Sequence, residues 1–161
     1  MSLVTDTLRT STITEELNDA EVEIISGLFS VQEYKAGEAI IRPGLDQPDN
    51  LYILAHGEIQ VKIQSSEGEA AIHVLKPGDL AGIITFAGGT SAHISATLTA
   101  IGKTKVLTMP RVKFETLINT HPAIVYKVMR GVVRDVHGIV RRMNAQSAEL
   151  SNYIYRIHGR Y

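Results

Sequence analysis

The sequence predicts a mainly β fold, a jelly roll of the double-stranded β-helix type, with a short N-terminal helix and a long C-terminal dimerisation helix. Three observations predict it. Turn signals rich in Gly, Pro and Asp recur about every ten residues between Ala36 and Asp79. The runs between them are short, apolar or strictly alternating, as strands are. After Pro110 the apolar period lengthens to that of helices and does not return. Strands that follow one another without intervening helices close on themselves as a roll instead of building a parallel sheet.

Residues 1–16 show no sustained apolar period and are expected to form a flexible arm. Asn18 followed by Glu21 reads as a capping-box variant, and Val22, Ile25 and Phe29, flanked by Ile24 and Leu28, give one apolar face to a helix over 18–28. Strands are expected at 39–42, 51–54, 59–64, 72–75, 80–86, 93–100 and 103–109. Between them lie Ala36-Gly37-Glu38, Pro43-Gly44-Leu45-Asp46, His56-Gly57-Glu58, Ser65-Ser66-Glu67-Gly68 and Lys76-Pro77-Gly78-Asp79. Pro110 suits the first turn of a short helix carrying Phe114, Leu117 and Ile118, which His121-Pro122 breaks, so the roll occupies 17–122. From Ala123 the apolar residues Val125, Met129, Val132, Val136, Ile139, Met143 and Leu150 fall on alternating four- and three-residue steps, interrupted at Gln146. That heptad seam predicts a parallel homodimer through a helix over 123–150. Gly131, Gly138 and Ala145 form a small-residue stripe beside the seam, suited to close approach of helix to helix or to the roll. A tail over 151–161, rich in tyrosine, is expected to pack back on a barrel or to dock a protein partner.

Composition narrows the function classes. A length of 161 residues fits one domain. Lys and Arg number 16 against 17 Asp and Glu, so no global basic field draws the chain to phosphate backbones, and nucleic acid is not an expected partner of this chain alone. Arg130, Arg134, Arg141 and Arg142 give the long helix a basic side that reads as a solvated face. Without cysteine there are no disulfides or thiolate metal sites. No apolar run approaches the roughly 18 residues that span a bilayer, so no membrane partner and a cytoplasmic location are expected. His56, His73, His93, His121, His137 and His158 never occur as His-x-His, the pairing a metal-binding roll needs on one strand face. His73 and His93 are read as surface or partly buried structural residues, and no metal or other cofactor is expected. No nucleophile, base and acid are spaced as a catalytic set, so no enzymatic activity is expected.

Ala36-Gly37-Glu38, Gly44, the run from Leu51 to Ile59, Gly68, Leu75-Lys76-Pro77-Gly78-Asp79 and the segment Phe114–Pro122 leading into a long helix coincide in order and spacing. Together they resemble the cyclic nucleotide-binding domain of catabolite-activator (Crp/Fnr-like) regulators, over about Leu17 to Met143. The resemblance implies the roll, the dimer helix and a ligand cassette after Pro77-Gly78-Asp79. In that cassette a Gly-Glu pair takes the ribose hydroxyl, a short helical turn follows, and Arg-Ser/Thr-Ala takes the cyclic phosphate. Here the first pair is Gly82-Ile83, followed by Ile84, and the arginine position holds Thr90, followed by Ser91 and Ala92. Both charged anchors are missing, although Gly88-Gly89-Thr90-Ser91 offers amides and hydroxyls to an anion. Adenine contacts from the long helix would fall at Gly138 and Ile139, which supply no side-chain hydrogen bond. In regulators the resemblance also implies a helix-turn-helix domain beyond the long helix, for which 151–161 has no room.

The function expected from these residues is a non-enzymatic regulatory or sensor domain that does not hold cyclic AMP in the usual way, its pocket taking another small molecule or none. One alternative is a protein-interaction module whose pocket is closed by Ile83, Ile84 and Phe86. Another is a cyclic AMP or cyclic GMP sensor with substitute anchors.

Overall fold

The computed structural model describes residues 2–43, 49–88 and 96–158, with side chains up to residue 156. Helix α1 (Leu3–Arg9), a 3-10 turn (Thr12–Thr14) and α2 (Asp19–Ser26) precede the strands. One four-stranded sheet has the order β1 (Ser30–Tyr34), β8 (Thr104–Pro110), β3 (Asn50–His56), β6 (Leu80–Ala81). The other has the order β2 (Ala39–Ile41), β7 (Ala96–Ala100), β4 (Ile59–Ser65), β5 (Gly68–Leu75). Every pairing among the described residues is antiparallel, as a jelly roll requires. Helices α3 (Ile83–Phe86), α4 (Arg111–Glu115), α5 (Leu117–Thr120) and α6 (Pro122–His158) complete the chain.

The run Leu51-Tyr52-Ile53-Leu54 is continuously apolar because both faces of β3 are covered. Leu51 and Ile53 enter a core shared with the helices, among them Leu8, Ile25, Phe114, Ile124 and Val128. Tyr52 and Leu54 enter a second core between the sheets, with Ile59, Leu98 and Val106. The capping box of α2 is formed as the sequence predicts: Glu21 N–H donates to Asn18 Oδ1 at 2.9 Å and Asn18 N–H to Glu21 Oε2 at 3.0 Å.

Four expectations are corrected. Residues 2–16 are not a free arm. Leu8 and Ile13 are fully buried, Thr14 donates its hydroxyl proton to the Leu8 carbonyl, and Glu16 pairs with Arg130 (2.9 Å) and Arg134 (2.8 Å) of α6. The apolar residues of this segment are too few to show a period but are placed where the long helix needs covering. Gly131 allows that contact, since a Cβ there would lie 2.5 Å from the Ile13 Cα, whereas Gly138 meets nothing within 4 Å. Secondly, 80–86 is not one strand. It divides at Gly82, whose φ of +77° ends β6 and starts α3; a Cβ there would sit 2.5 Å from the Asn50 carbonyl oxygen.

The third correction is that the long helix and the described part of the tail are one element, α6 running unbroken to His158. The fourth concerns its seam. Val132 is buried in the intramolecular core, Val125 and Met129 are partly buried against that same core, and Ile139 faces a cleft of its own chain. The stripe left in water is displaced by one residue at alternate positions: Tyr126, Val133 and Val140 stand exposed, joined by Val136, Met143 and Leu150 of the expected seam. Heptad spacing survives this shift, because 126, 133 and 140 repeat every seven residues, as 136, 143 and 150 do.

Candidate functional site

A cleft of about 420 Å³ opens between the roll and the long helix. Its floor comes from Ile41, Tyr52, Leu80, Ala81 and Leu98, one wall from Ile72, His73 and Leu75, another from Gly82, Ile83, Ile84 and Thr85, and its lid from Val136, Ile139 and Arg142 of α6. Each wall follows from local chemistry. Gly82 turns the chain away from β6, so α3 presents Ile83 and Ile84 to the opening. Phe86 turns instead into the helix-side core, its ring 5.2 Å from that of Phe114. Of the three side chains that would close the pocket in the interaction-module alternative, Ile83 and Ile84 line the cleft and Phe86 leaves it, and the cleft is open. Positions 136, 139 and 142 lie on one face of α6 at three-residue steps.

A second cleft, of about 310 Å³, shares His73, Leu75, Leu80, Ile139 and Arg142 with the first and is otherwise polar, lined by Thr12, Asp79, Arg134, Asp135 and Gly138. The two expected contacts on the helix therefore separate: Ile139 reaches both clefts and Gly138 only this one. Burial raises the Asp135 carboxyl above its ordinary value, helped by the charge of Asp79 and opposed by Arg142. His73 is lowered first by burial and then by the Arg142 guanidinium, with Asp79 opposing. Both effects favour the uncharged ring.

Thr90, Ser91, Ala92 and the rest of Gly88-Gly89-Thr90-Ser91 after Gly88 lie outside the described residues, as does His93. His73, Arg142 and Tyr52 were not singled out as pocket residues from the sequence. Arg142 reads there as one more cation on a basic face, and only the packing of α6 separates it from Arg130 and Arg134, which pair with Glu16 and Glu15. Among the described residues no group of His, Asp and Glu is placed to hold a metal ion, and no helix is long and apolar enough to cross a membrane.

An antiparallel roll closed by a long helix, with a cleft between them beside a Gly82-headed turn, defines a ligand-pocket architecture of the cyclic nucleotide-binding type. The chain belongs to the cyclic nucleotide-binding domain family, whose sequence pattern matches residues 31–121, more than half its length. It is similar to the HTH-type transcriptional regulator Cmr of Mycobacterium tuberculosis, 28% identical over 120 residues covering 74% of this chain and 48% of the regulator. The chain thus spans about half the length of that relative. Among solved structures it resembles a cyclic nucleotide-binding domain from Methylobacillus flagellatus, with a TM-score of 0.79 at 16% identity over 89% of this chain and 80% of that one. It also resembles the regulatory subunit of a cAMP-independent protein kinase A from Trypanosoma brucei, at TM-score 0.66, 22% identity and coverage of 80% and 44%. That structure is a triple mutant bound to cAMP, one of its substitutions being threonine to arginine.

Proposed function

We propose that this chain is a non-enzymatic regulatory domain in which a small molecule, not a cyclic nucleotide held in the family's usual way, binds between roll and long helix and is reported through that helix to a dimer partner. The observation that carries this is the shared construction of the cleft. Val136, Ile139 and Arg142 of α6 close a space whose other walls belong to the roll, so any occupant touches both bodies and biases their packing.

The identity of the residues argues against the usual ligand. Ile83 stands where a carboxylate would take the ribose hydroxyl, and it lines the cleft as an alkyl group. Thr90 stands where an arginine would take the phosphate. The trypanosome relative supports the same view, since a kinase named cAMP-independent is bound to cAMP in a mutant that gains an arginine for a threonine. Losing a buried charge-assisted phosphate contact costs about 2 kcal/mol or more, and losing a hydrogen bond to a charged group about 1.5 kcal/mol or more. Together they weaken binding by between two and three powers of ten, at about 1.4 kcal/mol for each. Calorimetry with cyclic AMP and cyclic GMP at tens of micromolar protein is expected to show no saturable heat. Binding by the wild type below about 10 μM would overturn the reading, and Ile83→Glu with Thr90→Arg is the variant expected to gain affinity.

The dimer contact in this proposal is the exposed stripe of Tyr126, Val133, Val136, Val140, Met143 and Leu150. Left in water, such a stripe carries a burial free energy of about 25 cal/mol per Å² that pairing recovers.

A further inference from the structure

We infer that the cleft takes a largely apolar molecule ending in one acceptor group, a medium-chain alkyl carboxylate in its simplest form, with the guanidinium of Arg142 receiving that end. The inference deepens the reading of this site as a ligand pocket and rests on it.

The walls are alkyl from three directions: Ile72 and Leu75 on β5, Ile83 and Ile84 on α3, Val136 and Ile139 on α6. Ile72 and Ile84 are 51% and 52% exposed, so the rim holds apolar surface in water that an apolar occupant would cover. The polar side chains in the lining are few and mostly engaged. The Tyr52 hydroxyl accepts from Asn50 Nδ2 at 3.4 Å, and Thr85 Oγ1 donates to the Gly82 carbonyl at 3.4 Å. Burial favours the uncharged ring of His73, which offers one ring N–H. Arg142 remains, the one charged residue of the lining and without an ion pair among the described residues.

A sugar phosphate placed in such a chamber would lose the hydration of each hydroxyl against alkyl groups. An alkyl chain loses nothing, and a volume of about 420 Å³ lies within the roughly 300–1,000 Å³ of small-molecule sites. A single donor cluster at one end selects a single acceptor group. Asp79 and Asp135 line the neighbouring cleft beside Arg142, which disfavours a second negative charge and so a phosphate monoester.

The test is calorimetry on the full chain at pH 7 with hexanoate, octanoate and decanoate, each below its micelle concentration, against octylamine and octanol. The expected result is one site per chain that tightens about fourfold for each methylene added, the equivalent of about 0.8 kcal/mol per buried CH₂. Octylamine is expected to bind at least tenfold more weakly than octanoate. Arg142→Met is expected to weaken decanoate about tenfold while leaving octanol unchanged, and Ile84→Asp, at an exposed rim position where the fold is not at stake, to repel the carboxylates. Val112→Lys, at an exposed apolar position on α4 that neither lines the cleft nor belongs to the outer stripe of α6, is expected to leave them unaltered, which separates the cleft from adventitious binding to exposed apolar surface. Affinity independent of chain length, octylamine binding as tightly as octanoate, or decanoate binding unchanged by Arg142→Met would overturn the inference. If the carboxylates fail while another compound in a thermal-shift library binds and is lost on Ile84→Asp, the ligand-pocket reading stands and this inference falls; if nothing in the library binds, both fall.

Discussion

Gly82 does two jobs with one missing carbon. Its φ of +77° is a left-handed conformation that side chains disfavour, and its α-carbon lies so near β3 that a Cβ would also meet the Tyr52 ring at 2.9 Å. Gly82→Ala is therefore expected to lose about 1–3 kcal/mol, read as a lower urea midpoint at unchanged m-value. Asp135 makes a different kind of residue-scale statement. Burial raises its carboxyl above the ordinary 3.8, so the native state keeps this proton to higher pH than the unfolded chain does. Stability from this group is present below that ordinary value and is lost as pH rises through the raised one. Asp135→Asn is expected to raise the melting temperature at pH 7 and to change it little near pH 3; an equal effect at both would show that the carboxyl is not perturbed.

At the scale of elements, α6 carries two apolar faces, one buried and one exposed. The inner face, Ile124, Val128 and Val132, is in the core, and the outer face, Tyr126, Val133 and Val140, is in water. Val132→Lys is expected to unfold the chain, because it places a charge in a fully packed interior. Val133→Lys with Val140→Lys is expected to leave the fold intact and convert a dimer to a monomer in sedimentation. The N-terminal segment is the second device at this scale. Glu16 carries a carboxyl held below its ordinary value, first by the hydrogen bond from Arg134 and then by that from Arg130. Ile13→Ala opens a cavity under the same contact, at the Gly131 crossing, and is expected to cost about 2–5 kcal/mol.

Taken as a whole molecule, the chain is a roll with a helix whose far end is exposed to water from residue 141 to residue 156. Arg142 there lines the cleft, but no side chain of this stretch is buried, and a helix that buries so little is marginal. The order of this stretch in solution is expected to depend on pairing. Amide exchange of 141–156 should slow as protein concentration rises through the dimer dissociation constant, while 124–132, buried against the roll, should be protected at every concentration. Uniform protection along α6 at high dilution would show that the outer stripe is not what stabilises the far end.

How much was legible in the sequence follows from the range of each signal. Turn residues, the Asn18 and Glu21 cap, strand alternation and the heptad spacing act over a few residues, so the roll and the long helix could be read from neighbours in the chain. The family resemblance pointed in addition to Gly82, Ile83 and Ile84, which line the cleft. What depended on residues far apart was not legible. The choice between Val132 and Val133 as the outward residue of α6 turns on where Ile13 and the roll lie against it, and both alternatives satisfy a seven-residue period. The burial of Leu8, the exit of Phe86 from the cleft and the separation of Arg142 from the paired Arg130 and Arg134 are likewise set by packing between segments more than 25 residues apart, for example Phe86 on Phe114. Local chemistry specified which elements form, and the tertiary structure decided which face of each is left for a ligand or a partner, because a periodic pattern marks a face as apolar without saying what will cover it.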